Sequence, residues 1–234
     1  MPDYGVAVLR SPLHGWHTDQ NARFKDWCRW LVPTTFASPE QEITSATDNL
    51  AIADLSAFTR LSFQGPDVPS LTWALASDSP AMKPGGIASF VTLGEGLACR
   101  IAEDELLLLS STAHMEAAVQ YLNQLCANRR VVLLDVTSGL AEFCLIGKAA
   151  FALLGRLTAL DLDRALPPAS CAGTNLAGVH AILVRPPQAA AVRLCVPWDV
   201  AEYVWTRLFE IGQEYQIVPI GLEAAKGLVP IGYP

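Results

Sequence analysis

The sequence predicts an α+β fold made of two duplicated halves with antiparallel sheets. The first observation is a repeated segment: residues 54–65 and 135–147 each begin with an Asp, an apolar residue and a hydroxyl residue, and each end at a glycine. Both segments mostly alternate between apolar and polar residues, which is typical of a half-buried strand. The second observation is that strand-like and helix-like runs alternate irregularly, with neighbours at hairpin spacing. This order favours antiparallel sheets over a doubly wound parallel sheet.

We expect residues 1–46 to form an N-terminal segment with a helix that packs on the core. Residues 1–10 are typical of a loosely held lead-in, and the spacing of Phe24, Trp27 and Trp30 predicts a short amphipathic helix. Residues 31–46 contain two prolines and several hydroxyl residues, which predicts a loop. A regular pattern begins again at Asn49 and leads into the first repeated segment.

Residues 47–130 are predicted to form the first half. After Gly65, apolar spacing with Pro66 near the start predicts a helix that ends at Leu75. A turn cluster follows, and apolar spacing from Met115 to Ala127 predicts a second helix. Between the two helices lie three strand-like runs, at residues 87–93, 96–102 and 105–110.

Residues 131–234 are predicted to form the second half. A short strand over 131–134 leads into the second repeated segment, and a helix over 148–157 follows its closing glycine. A connection with Pro167 and Pro168 separates this helix from the remaining elements. Those elements are strands over 173–185 and 191–196, a helix over 198–212 and a tail rich in Gly and Pro.

Composition places the chain among globular proteins of one large or two small domains. It has 234 residues, of which 51% are hydrophobic, and a formal net charge of −7. The 16 lysines and arginines are too few and too scattered for a nucleic-acid or anionic-membrane surface, both of which need clustered cations. We therefore expect small-molecule or protein partners, with no nucleic acid and no membrane.

Three features of the sequence predict a cytoplasmic location. The N-terminus has no basic region followed by an apolar core, so it is not a secretory signal. No apolar run approaches the about 20 residues that a membrane span needs. The cysteines include no C-x-x-C pair and mostly lie in apolar runs, as buried free thiols do. There are six: Cys28, Cys99, Cys126, Cys144, Cys171 and Cys195.

The four histidines do not predict a metal site. His14 and His17 are three residues apart and could share one face of a helix. No third ligand lies nearby in the sequence, however, and Pro12 and Gly15 disfavour a helix there. His114 and His180 are expected to be structural. The sequence also lacks G-x-S-x-G, P-loop and G-x-G-x-x-G motifs, so acyl transfer and nucleotide binding have no support.

Glu95 is the candidate for acid or base chemistry. It lies between Gly94 and Gly96, at the junction of two apolar strands. An apolar pocket there would raise the pKa of its carboxyl group toward a range useful for catalysis. The alternative is a hairpin turn with a solvated Glu, and the residues alone leave both interpretations open.

Several motifs, in order along the whole chain, resemble the glycine-cleavage T-protein (aminomethyltransferase) family. They are the sequences SPLH at 11–14, ADLS at 53–56, GPD at 65–67, DVT at 135–137, LCVP at 194–197 and VPIGL at 218–222. The passages at 166–171, 176–179 and 201–205 are also similar to the gamma subunit of heterotetrameric sarcosine oxidase. That subunit is a member of the same family, which also includes folate-binding proteins.

The resemblance implies two duplicated α+β domains around a central hole that binds tetrahydrofolate. It also implies a third, barrel-like domain, which we expect this chain to lack because the sequence stops at Pro234. Glu95 falls at the position of the family's catalytic carboxylate, where it would orient a folate nitrogen. Folate contacts are implied at Phe58, Leu97, Cys99 and Ser111.

The chain also departs from the family's pattern. Phe58, Cys99 and Ser111 stand where the family has Met, Tyr and Asn, and Ala225 replaces the Arg that meets the folate's glutamate tail. The family's Thr-Gly-Tyr-Thr-Gly-Glu loop is replaced by residues 185–191, which hold no carboxylate. Without that acceptor the donors of the pteridine would be desolvated unpaired, at a cost of roughly 1–3 kcal/mol.

Two functions from different classes follow. One is a tetrahydrofolate-binding, aminomethyltransferase-like protein of one-carbon metabolism with a degenerate folate site. The alternative is a non-catalytic subunit, similar to the sarcosine oxidase gamma subunit, that binds a protein partner. Whether the chain is an enzyme stays open at this point.

Overall fold

The chain folds into an α+β architecture with three sheets, as seen in a computed structural model that describes residues 8–75, 82–90, 96–110, 116–187 and 190–231. The strands in this part of the chain are β1 (Leu9–Arg10), β2 (Arg23–Trp27), β3 (Trp30–Thr35), β4 (Ala51–Asp54), β5 (Arg60–Gln64), β6 (Ile87–Phe90), β7 (Gly96–Ala102), β8 (Glu105–Ser110), β9 (Val132–Asp135), β10 (Leu140–Ile146), β11 (Ser170–Leu176), β12 (Val179–Arg185), β13 (Ala191–Pro197) and β14 (Val218–Ile220). The helices are α1 (His14–Asp19), α2 (Pro39–Asp48), α3 (Val68–Leu75), α4 (Glu116–Cys126), α5 (Ala150–Leu154), α6 (Leu162–Ala165), α7 (Ala201–Gly212) and α8 (Leu222–Ala225).

The two repeated segments exchange strands. The six-stranded sheet has the order β11-β12-β13-β10-β4-β14, and the five-stranded sheet has the order β6-β7-β8-β5-β9. In the first repeat, β4 lies in the six-stranded sheet and β5 lies in the five-stranded sheet. In the second repeat, β9 lies in the five-stranded sheet and β10 lies in the six-stranded sheet. Because β4 pairs antiparallel with β10 and β5 pairs antiparallel with β9, each repeat completes the sheet of the other.

The sheets are mostly antiparallel, as the sequence predicts. The exceptions in the described chain are β14, which pairs parallel with β4, and β1, which pairs parallel with β3 in the small N-terminal sheet. None of the described helices combines the length and the hydropathy that crossing a membrane requires.

Four groups of buried apolar residues hold these layers together. One face of the six-stranded sheet packs against α5 and α7, around Phe143 and Trp205. One face of the five-stranded sheet packs against α3 and α4, around Phe63 and Leu122. The other two groups share the opposite face of the six-stranded sheet. The between-sheet cluster consists of Cys99, Leu107, Leu109, Cys171, Ile182, Val184 and Cys195. The hairpin cluster includes Trp30, Val32, Leu55, Phe58, Cys144, Ala224 and Ala225.

Much of the predicted element order is confirmed. Strands β7 and β8 have the predicted bounds, and α3, α4, α5, β9, β13 and α7 lie within a few residues of the predicted ones. In each repeated segment, however, the strand is shorter than predicted, because residues 55–59 and 136–139 cross from one sheet to the other. The last part of the run predicted at 87–93 lies outside the described residues.

The prediction for residues 24–46 is wrong. Strands β2 and β3 form a hairpin in place of a helix, with its turn at Cys28 and Arg29, whose φ angles are 52° and 67°. The predicted loop contains α2, which begins with a capping box between Ser38 and Gln41 and has Pro39 in its first turn.

Two further expectations are corrected. The single strand predicted over 173–185 is a hairpin of β11 and β12, which turns at Ala177 and Gly178 with φ angles of 52° and 91°. His14 and His17 lie on a helix, α1, in spite of Gly15. The predicted division of the chain at residues 46/47 and 130/131 stays a prediction.

The glycines that close the two repeats occupy equivalent positions. Gly65 has a φ of 146°, and a Cβ added there would lie 2.1 Å from the carbonyl oxygen of Arg130, just before β9. Gly147 has a φ of 129°, and its Cβ would lie 2.7 Å from the carbonyl oxygen of Asn49, just before β4. Each repeat therefore ends against the backbone that enters the first strand of the other, and only glycine fits there.

We predict that Gly65→Ala and Gly147→Ala each lower the free energy of unfolding by at least about 2 kcal/mol, because the new methyl group meets backbone in a strained φ region. Gly15→Ala is the matched control. Gly15 lies in α1 with no other atom within 4 Å of the added Cβ, so the change should be neutral or stabilising by a few tenths of a kcal/mol. Urea unfolding curves with equal slopes would measure all three, and equal stability of Gly65→Ala and Gly15→Ala would contradict the prediction.

Candidate functional site

We call residues 55–59 and 136–139, which cross from one sheet to the other, the two crossings. The repeated Asp and hydroxyl residues hold these crossings in place. The Oδ1 atom of Asp54 accepts a hydrogen bond from the backbone N–H of Ser56 at 2.9 Å, and Oδ1 of Asp135 accepts one from Thr137 N–H, also at 2.9 Å. A short Asp side chain readily turns the backbone in this way. The repeated sequence signature therefore encodes a local turn.

The hydroxyl groups then bind the opposite repeat. Ser56 Oγ accepts from the backbone N–H of Glu142 at 3.1 Å, and Thr137 Oγ1 accepts from the backbone N–H of Arg60 at 3.0 Å. Backbone bonds repeat this pattern, since Leu55 N–H donates to the Glu142 carbonyl and Val136 N–H donates to the Arg60 carbonyl. Each crossing is thus bonded to the strand that follows the other crossing.

Arg60 is the side chain that joins the two crossings. Its guanidinium is fully buried, and Nη2 donates to the carbonyl oxygens of Ser56 and Thr137, each at 2.7 Å. Nη1 donates to the Leu55 carbonyl at 3.2 Å and to Oε2 of Glu142 at 3.3 Å. One cation therefore satisfies backbone groups of both repeats.

Glu142 bridges Arg60 to a second buried arginine. Oε1 of Glu142 accepts from Nε of Arg193 on the neighbouring strand β13, and the exposed fraction of Arg193 is 5%. Burial lowers the pKa of Arg193, but the Glu142 carboxylate outweighs burial, so the pKa lies above its ordinary value and the guanidinium stays charged. We call Arg60, Glu142 and Arg193 the central ion triad.

The central ion triad carries one excess positive charge and is not fully hydrogen-bonded. Nη2 of Arg193 and Nε of Arg60 have no partner in the described part of the chain. Along β10 and β13, residues of the between-sheet cluster lie on one side of the triad and residues of the hairpin cluster on the other. The triad therefore occupies the position between these two apolar clusters.

Asp54 anchors the N-terminal helix to the six-stranded sheet. Its Oδ2 atom accepts from the hydroxyl of Ser11 and lies 2.9 Å from Nε2 of His17. His17 is 1% exposed and is surrounded by the rings of Trp16, Phe36 and Trp205. Burial raises the pKa of Asp54, but the hydrogen bonds from His17, Ser11 and Ser56 outweigh it and hold the pKa below its ordinary value. His17 therefore serves as a structural partner of a buried carboxylate.

The predicted site residues that can be located are buried in two different places. Phe58 has no exposed surface and meets the ring of Trp27 edge-on, with 5.0 Å between centroids, in the hairpin cluster. Cys99 also has no exposed surface and lies in the between-sheet cluster, with Leu97 beside it and partly buried. Burial, and then the neighbouring thiol of Cys171, raises the pKa of Cys99 well above its ordinary value. Glu95 and Ser111 lie outside the described residues, and all five roles stay predictions.

The positions that differ from the implied folate site are occupied by structural contacts. Ala225, at the end of α8, is fully buried in the hairpin cluster. Arg185 donates from Nη1 to the Leu166 carbonyl at 3.1 Å and lies 4.6 Å above the centroid of the Phe151 ring. Ala225 is therefore not available to a ligand in this arrangement.

Sequence reasoning missed the central ion triad, although a signal was present. Glu142 and Arg193 each interrupt an otherwise apolar strand, and a charge in a buried strand requires a partner of opposite sign. Glu142 and Arg193 become partners because β10 pairs with β13, and the sequence does not reveal this pairing.

Comparison with known proteins finds one matching family model and several similar proteins. The family model of the GCVT N-terminal domain matches residues 13–229. The aminomethyltransferase of Anoxybacillus flavithermus is 23% identical over 227 residues, which cover 93% of this chain and 62% of that protein. The aminomethyltransferase of Synechococcus elongatus is 27% identical over 94% of this chain and 61% of that protein. The chain therefore spans about three fifths of the length of these relatives.

Sarcosine oxidases also appear among the matches. The alpha subunit from Corynebacterium sp. (strain P-1) is 23% identical over 95% of this chain, which corresponds to 26% of that subunit. Among solved structures, aminomethyltransferase T of Bartonella henselae has a TM-score of 0.78 at 18% identity, over 94% of this chain and 62% of that one. A chain of the heterotetrameric sarcosine oxidase from Corynebacterium sp. U-96 has a TM-score of 0.60 at 18% identity, over 78% of this chain and 97% of that one.

We predict that Glu142→Gln lowers the free energy of unfolding by about 3–5 kcal/mol, because it leaves two buried guanidinium groups without a counter-charge. Adding Arg193→Met to that variant should restore part of the loss, since it removes one of the uncompensated charges. Glu210→Gln, which breaks an exposed ion pair with Arg207, is the control and should cost less than about 1 kcal/mol. If urea unfolding gives similar losses for Glu142→Gln and Glu210→Gln, the central ion triad does not have the proposed importance.

Asp54 should make stability depend on acidic pH. Because its pKa is lower in the folded than in the unfolded chain, its stabilisation is fully present above the unfolded value of about 4 and is lost as pH falls through the folded pKa. The gap in unfolding free energy between wild type and Asp54→Asn should therefore be constant down to about pH 5 and narrow toward pH 3. The exposed Asp163→Asn should show little gap at any pH. A wild-type to Asp54→Asn gap that stays constant down to pH 3 would refute this assignment.

Proposed function

The chain belongs to the GCVT N-terminal domain family, and from this premise we propose that it keeps the family's scaffold without its folate chemistry and acts as a non-catalytic subunit bound to a protein partner. In this proposal the folate site is degenerate, and the chain shares with its family only the fold. The proposal extends to a cytoplasmic location, which agrees with six free cysteines.

The observation that carries the proposal is the burial of the positions that would contact folate. Phe58, Cys99 and Ala225 each have no exposed surface and pack in two separate apolar clusters. A side chain without exposed surface cannot contact a ligand unless the core repacks, which is costly at interior packing density. The central ion triad lies between those clusters, which adds charged groups to the space that separates them.

The likeness to a sarcosine oxidase chain supports a subunit role. The heterotetrameric enzyme from Corynebacterium sp. U-96 contains a chain of which 97% is matched by this fold. A protein of that kind thus includes a chain that consists almost wholly of the same architecture. We propose that this chain occupies a comparable place in an assembly with an oxidase.

An exposed apolar edge offers a surface for such a partner. Strand β9 lies at the edge of the five-stranded sheet, where Val132 and Leu134 are 59% and 41% exposed. Tyr121, on the helix that packs beside β9, is 40% exposed. Natural proteins usually protect an apolar edge strand, and one that stays open favours a partner that covers it.

The second candidate is a tetrahydrofolate-dependent aminomethyl transfer in which Glu95 orients a folate nitrogen. It is favoured by the names of the curated relatives, which are aminomethyltransferases that match 93–94% of this chain. The two candidates differ in whether folate binds, so one titration separates them.

We predict that calorimetric titration with tetrahydrofolate gives no saturable heat at millimolar ligand. The wild-type chain and a Glu95→Ala variant should behave alike, because Phe58, Cys99 and Ala225, three of the positions implied for folate, are already part of the core. The aminomethyltransferase T of Bartonella henselae serves as a positive control for the ligand and the instrument. Micromolar affinity, about −8 kcal/mol, that disappears in Glu95→Ala would overturn the proposal in favour of the transferase.

The partner is tested separately. A tagged chain isolated from its native cells should co-purify with oxidase subunits at a fixed stoichiometry. Val132→Lys with Leu134→Glu should weaken that complex while changing the free energy of unfolding by less than about 0.5 kcal/mol, because both side chains are exposed. Leu9→Glu, which also charges an exposed leucine, is the control and should leave the complex intact. Isolation of the chain alone, or a complex that withstands the double variant, would contradict the subunit role or this surface respectively.

A further inference from the structure

A cleft of about 310 Å³ opens beside the N-terminal hairpin. It is lined by Arg23, residues 34–39 and Glu223, so the end of β3, the start of α2 and the short helix α8 form its walls. Its volume lies at the lower end of the range for small-molecule sites. At about 30 Å³ per water molecule it has the volume of about ten waters, which suits a metabolite rather than a large cofactor.

The cleft holds one positive and one negative side chain that do not pair with each other. Arg23 is exposed and Glu223 is half-buried, and both line the same space. Neither side chain has a hydrogen-bond or ionic partner within the described residues, whereas Arg130, Arg156 and Arg207 at the surface all do. Two opposite charges that line one cleft without pairing are complementary to a ligand that carries both charges itself.

The hydroxyl group of Thr35 adds a specific polar contact. Thr35 is only 6% exposed and lines the cleft, yet its hydroxyl has no hydrogen-bond partner in the described chain. The neighbouring Thr34 differs, because its hydroxyl donates to the carbonyl of Arg23 at 3.1 Å. The hydroxyl of Thr35 is therefore free to hydrogen-bond a ligand in the cleft.

The walls of the cleft are held in place by one buried carboxylate. Oε1 of Glu42 accepts hydrogen bonds from the backbone N–H groups of Phe36 and Ala37, and Oε2 accepts one from Gly221 at 2.7 Å. Gly221 immediately precedes α8 and packs so tightly that an added Cβ would lie 1.9 Å from the Thr34 carbonyl oxygen. The strand that carries Thr35 and the helix that carries Glu223 are therefore fixed relative to each other before any ligand binds, which lowers the entropic cost of binding.

From these contacts we infer that the cleft binds a free α-amino acid with a small apolar side chain. The ligand's carboxylate binds the guanidinium of Arg23 and the hydroxyl of Thr35, and its ammonium group binds the carboxylate of Glu223. The apolar side chain lies against Phe36 and Pro39, which also line the cleft. A dianion is disfavoured by Glu223 and a dication by Arg23, so the two charges together select a zwitterion. This inference is independent of the proposed subunit role.

The test is a titration of the full chain with L-valine, followed by NMR chemical shifts or calorimetry. We expect saturable binding with a Kd of about 1 mM or tighter. Arg23→Gln and Glu223→Gln should each weaken binding by at least about tenfold, because each removes a charge-assisted contact, and Thr35→Val should weaken it a few-fold. Matched controls are Arg29→Gln, on the turn of the same hairpin, and Glu40→Gln, in the first turn of α2; neither residue lines the cleft, and neither change should alter binding.

Acetate and methylamine separate the zwitterion from simpler ligands. Each carries one of the two charges, so each should bind at least about tenfold more weakly than L-valine. Acetate that binds as tightly as L-valine, with no effect of Glu223→Gln, would replace the zwitterion site by a plain carboxylate site and overturn the inference. Absence of saturation at about 50 mM L-valine, or equal binding by the Arg23→Gln and Arg29→Gln variants, would overturn it as well.

Discussion

The structure depends on two reciprocal sets of hydrogen bonds. In each set, the segment that crosses between the sheets in one repeat binds the strand that follows the crossing segment of the other repeat. Ser56 accepts from the strand that follows the second crossing, and Thr137 accepts from the strand that follows the first. These bonds fix the register in which β4 meets β10 and β5 meets β9, because each joins a crossing directly to the first residues of a strand. A shift of one residue would break both bonds and would turn every buried side chain of those strands to the wrong face. The glycines that end the repeats can then approach the opposite backbone closely.

The two repeats differ in charge at corresponding positions, and these charged residues meet between the two crossings. Arg60 and Glu142 occupy corresponding places at the starts of β5 and β10, and they now form a buried ion pair with each other. Such a pair contributes little net stability when compared with apolar residues of the same size, but loss of one partner is costly. The remaining backbone contacts of Arg60 explain why a cation suits this position, since carbonyl oxygens of both crossings point toward it.

The sequence predicts features with a local physical cause and fails where the cause is distant. The closing glycine of each repeat and the hairpin of β7 and β8 each depend on a few neighbouring residues, and those residues predict them, whereas the turn at each Asp was mistaken for part of a strand. The hairpin of β2 and β3 was missed because its turn places Cys28 and Arg29, which carry no turn preference, at positive φ. For the candidate site, the buried charge of Glu142 is visible in the sequence as an interruption of an apolar strand. Its partner Arg193 lies 51 residues away and is identified only by strand pairing.

The exchange of strands determines when the protein can fold during synthesis. The five-stranded sheet is incomplete until β9 has been made, although its other four strands come from residues 60–110. The six-stranded sheet is completed later still, because β4 at residues 51–54 pairs with β14 at residues 218–220. Contacts between such distant residues are slow to form, since a long loop must close before they contribute. During synthesis, β5 therefore lacks its partner β9, and β4 lacks its partners β10 and β14, until those later strands have been made.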